Sequence, residues 1–160
     1  MGLRAMLRAA RAEPPDAGIG TFAAASRTAG EHRGNRYSIA LACTAAHARE
    51  VTLVIDVYAV DRAGAASSHV GYAVKRLRLS PRGPLHVDIC FRWREAATFR
   101  LEGVWQPADE LWVGEPAARG FVSVAADLRD ATGRSLDRTV IYQEVDEEAA
   151  GLHGSHEPIA

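Results

Sequence analysis

The sequence predicts an all-β protein, an antiparallel β-sandwich of about seven strands. Three observations lead to this prediction. Apolar and polar residues alternate along several short segments, turns that contain Gly or Pro separate these segments, and no long helical pattern lies between them. Alternation with a period of two predicts strands that bury one face. Because a sheet with one apolar face needs a second layer to cover it, we expect two packed sheets.

The clearest predicted strand begins at Leu85 and supplies the centre of the predicted core. Its apolar parity consists of Leu85, Val87, Ile89, Phe91 and Trp93. A large apolar side chain contributes about 1.5–3 kcal/mol when it is fully buried, so we expect this parity to face the interior. A second run carries Phe99, Leu101 and Trp105 on one parity, and it predicts the neighbouring strand. Burial in the core accounts for Trp93 and Trp105 more simply than an exposed aromatic platform does.

The other predicted strands lie on both sides of this pair in the chain. The predicted strands begin at Tyr37, Val51, Val70, Phe121 and Leu136. The run from Val51 to Val60 is apolar on both parities, which predicts a strand with both faces partly covered. Turn-forming stretches at 61–64, 81–84 and 130–134 separate the strands, and the last of these closes a terminal hairpin. The alternation slips by one residue at Lys75 and Arg76, which predicts a β-bulge there.

The predicted organisation is a single sandwich domain with a tail at each end. Residues 1–34 are predicted to form an arm and linker, residues 35–146 the sandwich, and residues 147–160 a disordered tail. Three apolar residues near the start recur at helical spacing and indicate a short amphipathic helix. They are Leu3, Met6 and Leu7. A frayed arm is the alternative, because an isolated helix of this length is marginally stable in water.

Composition and charge indicate an ordinary globular domain. The 160 residues are 48% hydrophobic and 24% charged, with a formal net charge of −1. This balance gives no basic footprint for a nucleic acid or an anionic membrane surface. No apolar segment approaches the ~18 residues of a membrane span, and no apolar signal segment follows the first arginine. We therefore expect a soluble, cytoplasmic protein without a membrane span and without a nucleic-acid partner.

The segment from Gly120 to Leu136 resembles the closing hairpin of bacterial immunoglobulin-like and fibronectin-type-III-like domains. Gly120 and Phe121 stand where that hairpin starts its penultimate strand, and Asp130 to Gly133 stand where it turns back. The resemblance implies an immunoglobulin-like sandwich that binds or spaces other proteins rather than a catalyst. Phe121 occupies a place where these domains often have tyrosine, so the tyrosine hydroxyl bond to the backbone cannot form from this position.

The two cysteines are expected to be reduced structural thiols. Cys43 shares its parity with apolar residues of its strand, whereas Cys90 lies on the parity opposite to that of Ile89. Two thiols that point to different surroundings do not meet the geometry of a disulfide unless a bulge intervenes. An intersheet bridge is the alternative.

Two groups of residues have the side-chain types of a metal site. The first group consists of His86, Asp88 and Cys90, which share one face of a predicted strand. The second group consists of His153, His156 and Glu157 in the C-terminal tail. A polar sheet face and a solvated tail explain these groups more simply, because neighbouring positions on one strand face are widely spaced for a single ion.

The local motifs of the common enzyme classes are absent from the sequence. It contains no Gly-x-Ser-x-Gly elbow, no Gly-x-x-x-x-Gly-Lys phosphate loop, no His-Glu-x-x-His and no Cys-x-x-Cys. These motifs supply nucleophiles, phosphate cradles and metal ligands. We therefore expect a protein that is not an enzyme and that needs no cofactor or metal.

The candidate binding residues come from the N-terminal arm and from one apolar run near Pro107. Leu111 and Trp112 form that run, which we interpret as a loop with exposed apolar side chains. The apolar stripe of the arm, described above, would supply the other contacts.

We interpret the chain as a non-catalytic accessory or scaffolding module that contacts a protein partner. A homo-oligomer is compatible with this interpretation. The alternative is a carbohydrate-binding sandwich on whose surface tryptophans a sugar ring stacks. A sugar-binding module should show an exposed row of aromatic side chains and would usually be exported, whereas an accessory module can act inside the cell.

Overall fold

The computed structural model describes residues 15–25, 34–60, 67–116 and 120–145. This part of the chain contains ten β-strands and no helix. The strands form two antiparallel sheets of five strands each. The prediction of an all-β sandwich is confirmed. There are three strands more than the seven expected, because the strands at 17–24, 104–107 and 110–113 are short or poor in large apolar residues.

Each sheet combines strands that are distant in the chain. Sheet A contains, in spatial order, β1 (Ala17–Ala24), β2 (Asn35–Cys43), β5 (Leu85–Arg92), β6 (Ala96–Leu101) and β7 (Val104–Pro107). Sheet B contains, in spatial order, β10 (Ser135–Val145), β9 (Gly120–Arg129), β3 (Arg49–Val60), β4 (Ser67–Leu79) and β8 (Glu110–Val113). The chain passes from one sheet to the other between β7 and β8, so these two short strands are the edges at one side of the sandwich.

The core lies between the sheets and is built from one parity of the strands. Val87, Ile89 and Phe91 of β5 are at most 1% exposed, as the alternation predicted. Sheet B supplies the facing layer from the inward parity of β3 and β9. Its fully buried members are Leu53, Ile55, Val57, Val122, Val124, Ala126 and Leu128. Burial of this many apolar side chains is the main stabilising contribution to the fold.

Trp93 belongs to the core, as predicted, and takes part in a polar bridge between the two sheets. Its indole Nε1–H donates a hydrogen bond to Asn35 Oδ1 at 2.9 Å. The Asn35 amide in turn donates to Gln143 Oε1 of β10 at 3.2 Å. Asn35 is only 2% exposed, so these two bonds satisfy an amide that would be costly to bury alone.

Residues 17–24 form a strand, and the prediction of a linker there is wrong. β1 pairs with β2 along its length, with a register shift between Ile19 and Thr21. The Ile19 N–H also donates to Asp137 Oδ2 of β10 at 2.8 Å. Glycine and alanine make up most of β1. They hide the alternation of a strand, although backbone pairing does not require large side chains.

Lys75 keeps the inward parity of β4, and the bulge predicted at Lys75 and Arg76 is wrong. The register of β3 and β4 is regular there and shifts instead next to Tyr58. The Lys75 amine donates to the Pro107 carbonyl oxygen at 3.1 Å and lies 3.5 Å from the Asp109 carboxylate. The hydrogen bonds at the edge of the sandwich therefore allow a charged side chain to occupy an inward position.

The predicted terminal hairpin is confirmed as β9 and β10. Asp130 organises its turn, because its carboxylate accepts hydrogen bonds from Thr132 and from the Arg134 N–H. The hydrogen bond from the Thr132 hydroxyl makes the largest contribution to lowering the pKa of Asp130. The hydrogen bonds from the backbone N–H groups of Arg134 and Thr132 lower this pKa further. Gly133 has a φ of 87°, a conformation that glycine adopts without strain.

Several predictions concern residues outside the described part of the chain. They are the N-terminal helix with Leu3, Met6 and Leu7, the tail from 147 to 160, and the group His153, His156 and Glu157. Within the described ranges there is no helix long and apolar enough to cross a membrane.

Candidate binding face

Most of the exposed large apolar side chains in the described ranges lie on the outer face of sheet B. Trp112 is 46% exposed, Phe121 43%, Val140 38% and Tyr142 72%. A single exposed apolar side chain is ordinary, but several on one face form a patch of the kind that binds a ligand or a partner.

The strand register places these side chains in adjoining rows that cross the sheet. One row consists of Tyr142, Ser123, Tyr58 and His69. The next row consists of Val140, Ala125, Asp56, Tyr72 and Trp112. We call these two rows, with Phe121 beside them, the aromatic face. Adjacent strands are ~4.8 Å apart, so the five-strand row is about 19 Å long.

Trp112 reaches this face because it belongs to an edge strand. It lies in β8, opposite Tyr72 of β4, and the prediction that it lies in a loop is wrong. A strand of only four residues is too short to show a clear alternation. Gly114 follows the strand, and a Cβ at Gly114 would lie 3.2 Å from the Trp112 ring. Glycine at this position therefore leaves room for the indole.

His69 lies at the centre of a cluster of rings on the aromatic face. Its ring centroid is 4.9 Å from that of Tyr58, 5.4 Å from that of Trp112 and 6.1 Å from that of Tyr72. The rings of His69 and Tyr72 are nearly parallel, with an interplanar angle of 15°. Centroid separations of this size are favourable for aromatic pairs, so the four rings hold one another in position.

Asp56 is the acidic group within this cluster. Its Oδ1 lies 3.0 Å from His69 Nε2, and its side chain is 26% exposed. The contact with the imidazole uses one carboxylate oxygen. Because a carboxylate has two acceptor oxygens, Asp56 can accept a further hydrogen bond from a ligand that lies on the rings.

The structure separates the candidate binding residues predicted from the sequence. Trp112 is on the aromatic face, whereas Leu111 is opposite Ala73 and has the other parity. Leu111 is 40% exposed at the edge of the sandwich. Leu3, Met6 and Leu7 are outside the described residues.

The other aromatic side chains in the two rows were missed by the sequence analysis. They are Tyr58, His69, Tyr72 and Tyr142. An outward parity was readable for some strands taken alone, such as β9, but not for the short β8 or for β3, which is apolar on both parities. The order of the strands in the sheet was not readable at all. The alignment of the outward aromatic residues across β10, β9, β3, β4 and β8 is therefore visible only in the structure.

Trp105 lies on the outer face of sheet A, and the prediction that it belongs to the core is wrong. A turn at Glu102 and Gly103, which have positive φ angles of 50° and 81°, separates β6 from β7. The turn places Trp105 opposite Arg100. The prediction continued the alternation from Leu101 to Trp105 as if both residues belonged to one strand. The chain reverses between them, so the alternation does not carry over.

Two arginines flank Trp105 and share one carboxylate. Arg36 Cζ is 5.3 Å from the Trp105 ring centroid, and Arg100 Cζ is 6.0 Å from it. Each guanidinium lies 3.7 Å from the Asp88 carboxylate. Asp88 also accepts a hydrogen bond from the Ser38 hydroxyl at 2.7 Å. On the outer face of sheet A, the Asp88 carboxylate is therefore bound by side chains of the same sheet.

The described residues do not gather the ligands of a metal site. Of the group predicted on β5, His86 is exposed, Asp88 contacts the arginines, and Cys90 is fully buried. No group of three or more His, Cys, Asp or Glu side chains in the described ranges could hold a metal ion.

The expectation of two reduced thiols agrees with the structure, in which Cys43 and Cys90 are both buried and are not joined by a disulfide. Burial raises the pKa of the Cys90 thiol to about 11, and the nearby guanidinium groups of Arg36 and Arg92 lower it by less. Cys90 is therefore a protonated, unreactive thiol at neutral pH.

Comparisons with known proteins leave the family of this chain open. No protein-family model matches the sequence, and no curated protein matches it significantly. Among solved structures, the chain is similar to a "putative beta-galactosidase from bacteroides fragilis", with 17% sequence identity and a TM-score of 0.43. The match covers 82% of this chain and 16% of that one. At this TM-score the likeness carries no information about what this chain does.

Proposed function

We propose that this chain is a non-catalytic accessory module with an immunoglobulin-like sandwich, and that it contacts a protein partner through the aromatic face. The observation that supports the proposal is the alignment of exposed aromatic and apolar side chains in two adjoining rows of one sheet. Trp112 and Tyr142 lie at the two ends of these rows and are 46% and 72% exposed.

The tyrosines and the tryptophan of the aromatic face support the proposal of a protein partner. Tyrosine and tryptophan are enriched at the centres of interfaces and among the residues that contribute most of the binding energy. Tyrosine also loses little conformational entropy on binding, because it has only two side-chain torsions.

Charged residues border the aromatic face, as a polar rim borders an interface. The row after Val140 and Trp112 begins with Arg138 and ends with Glu110, which are both exposed. Such a rim is better suited to orient a partner than to supply affinity.

A carbohydrate ligand is the second candidate, and one observation favours it. Polar groups that can bind sugar hydroxyls stand between the rings, namely Asp56, His69 and Ser123. A sugar ring could stack on Trp112 while its hydroxyl groups bind the Asp56 carboxylate.

The experiment that tests the proposed function measures the affinity of a recovered partner for matched surface variants. The partner is isolated with the purified chain as bait, and its dissociation constant is measured for the wild type, Trp112→Ala, Tyr142→Ala and His86→Ala. We expect either aromatic variant to lose about 2 kcal/mol of binding free energy, which is roughly thirtyfold in affinity.

His86→Ala changes an exposed residue of sheet A and is the control for nonspecific effects. Unaltered affinity in both aromatic variants would contradict the proposal. Loss of affinity for a defined oligosaccharide, in place of a protein, would support the second candidate. The predicted contribution of Leu3, Met6 and Leu7 is tested in the same assay with Met6→Ser.

A further inference from the structure

The outer faces of the two sheets repeat one arrangement of side chains. In sheet A, Asp88, Arg100 and Trp105 stand opposite one another on three successive strands, and Trp105 is on the edge strand. In sheet B, Asp56, Tyr72 and Trp112 stand opposite one another in the same way, and Trp112 is on the edge strand. Each face therefore carries an aspartate two strands away from an edge tryptophan.

The two arrangements differ in what lies between the carboxylate and the indole. In sheet A, the guanidinium groups of Arg36 and Arg100 contact both the Trp105 ring and Asp88. In sheet B, Tyr72 replaces the arginine, and the aromatic face contains no lysine or arginine among its described residues. Its acidic group, Asp56, is instead in contact with His69.

We propose that the aromatic face binds a guanidinium group, an arginine side chain that the protein partner supplies. The arginine would lie against the Trp112 ring and donate hydrogen bonds to the Asp56 carboxylate. The model for this placement is sheet A, where Arg36 and Arg100 lie over Trp105 and form ion pairs with Asp88 at 3.7 Å. This inference rests on the proposed function, because it names the chemistry of the partner at the same surface.

Charge and ring geometry on the aromatic face both favour a cation. The faces of tryptophan and tyrosine rings attract a cation that lies within about 6 Å of the ring centroid. Tyr58, Tyr72 and Trp112 surround Asp56 and His69, so a cation placed there meets several ring faces and a carboxylate. Asp56 is only 26% exposed, and its partly dehydrated charge interacts more strongly with a cation than a fully exposed one does.

Arginine fits this site better than lysine. The planar guanidinium stacks on an aromatic ring and at the same time donates several hydrogen bonds in its own plane. An ammonium group is strongly hydrated and donates from a single point. Sheet A already places two guanidinium groups beside an aromatic ring and a carboxylate at the equivalent place.

The test is an NMR titration of the full chain with short capped peptides, followed through the indole Nε1–H signals of the three tryptophans. The probes are acetyl-Gly-Arg-Gly-amide, the same peptide with citrulline, which is neutral and of similar shape, and the same peptide with lysine. We expect the arginine peptide to shift the Trp112 signal saturably and the citrulline peptide to bind at least about fivefold more weakly. The signals of Trp93, which is bonded to Asn35, and of Trp105 should stay in place.

Matched variants test whether the Asp56 carboxylate and the Trp112 ring bind the arginine peptide. Asp56→Asn and Trp112→Leu should each weaken arginine binding at least about fivefold. Glu50→Gln removes the same charge at an exposed position of β3 outside the aromatic face and should leave the binding unchanged. An unmoved Trp112 signal, equal shifts with arginine and citrulline, or equal loss in Glu50→Gln and Asp56→Asn would overturn the inference.

The outcomes separate this inference from the proposed function. If Trp112→Ala weakens the binding of the recovered protein partner and Asp56→Asn does not, the inference fails and the proposed function stands. If neither variant changes the affinity of the partner, the inference and the proposed function both fail. If maltohexaose or cellohexaose shifts the Trp112 signal and the arginine peptide does not, the face is a sugar site and the inference is overturned.

Discussion

Ile89 is the residue on which the assignment of the core strand can be tested most simply. It is fully buried between the sheets, and the structure places no ion-pair partner beside it in the described ranges. An aspartate there would carry an unpaired buried charge, which costs several kcal/mol out of a total stability of only ~5–15 kcal/mol.

We therefore expect Ile89→Asp to be unfolded at room temperature. The control is His86→Asp, which changes an exposed residue of the same strand and should unfold near the wild-type midpoint. Circular dichroism during urea denaturation measures both. A cooperative transition of Ile89→Asp at the wild-type urea concentration would contradict the inward orientation of Ile89.

Because of the buried thiol of Cys90, we expect the folded protein to lose stability at alkaline pH. Burial raises the pKa of its thiol from an ordinary value of 9.0 to about 11. Between these two values the thiol is ionised in the unfolded chain and protonated in the folded protein. The unfolded state therefore binds fewer protons, and stability falls as the pH rises from about 9 to about 11.

The comparison with Cys90→Ala isolates this effect. Urea denaturation at pH 8 and pH 10.5 should show that the wild type loses about 1–2 kcal/mol more than the variant does. Burial, the largest cause that raises the pKa of Tyr37, acts in both proteins and cancels in the comparison. An equal loss in the two proteins would show that the thiol of Cys90 is not protected in the folded state.

At the scale of the strands, β1 depends on its attachment to β10. The Asp137 carboxylate accepts hydrogen bonds from the Ile19 N–H at 2.8 Å and from the Arg138 N–H at 2.8 Å. Asp137→Ala leaves the Ile19 donor without this acceptor at a partly buried place. We expect the variant to lose about 1–2 kcal/mol of unfolding free energy.

Arg138→Ala is the matched control for this prediction, because Arg138 is exposed and its side chain is not needed for the bond to Ile19. Thermal unfolding followed by circular dichroism compares the two variants. If Asp137→Ala and Arg138→Ala melt at the same temperature, the contact between the two sheets through Asp137 does not stabilise the fold.

The strands also show why some elements were predictable and others were not. β5 alternates large apolar and polar residues, so its inward parity was readable from the sequence alone. In β1 small residues hide the alternation, and in β8 only four residues are available to show it. Those two strands are defined by backbone pairing with β2 and β4, which a linear pattern does not contain.

At the scale of the whole molecule, the sandwich followed from the sequence and the aromatic face did not. The alternation assigns each outward side chain to one surface of its own strand. The neighbours of that strand are set by the topology, in which β3 lies between β4 and β9 although 59 residues separate its last residue from the first of β9. Trp112 was therefore recognised as exposed, whereas its alignment with Tyr72, Asp56 and Val140 could not be predicted.

The outer surfaces of the two sheets give the molecule two different sides. Sheet A combines Arg36, Arg100 and Asp88 around Trp105, so its tryptophan and its carboxylate already contact arginines of the chain. Sheet B presents the aromatic face, whose acidic group and rings are 26% to 72% exposed at Asp56, Trp112 and Tyr142. We infer that a partner meets sheet B.

Side-chain footprinting with hydroxyl radicals, with and without the recovered partner, tests this assignment most directly. Tryptophan and tyrosine side chains that become covered on binding are oxidised more slowly. We expect protection of Trp112 and Tyr142 in the complex, and unchanged oxidation of Trp105 and of Val104, which is 60% exposed on sheet A. Protection of Trp105 and Val104 with unchanged oxidation of Trp112 and Tyr142 would contradict the account, because the partner would then cover sheet A.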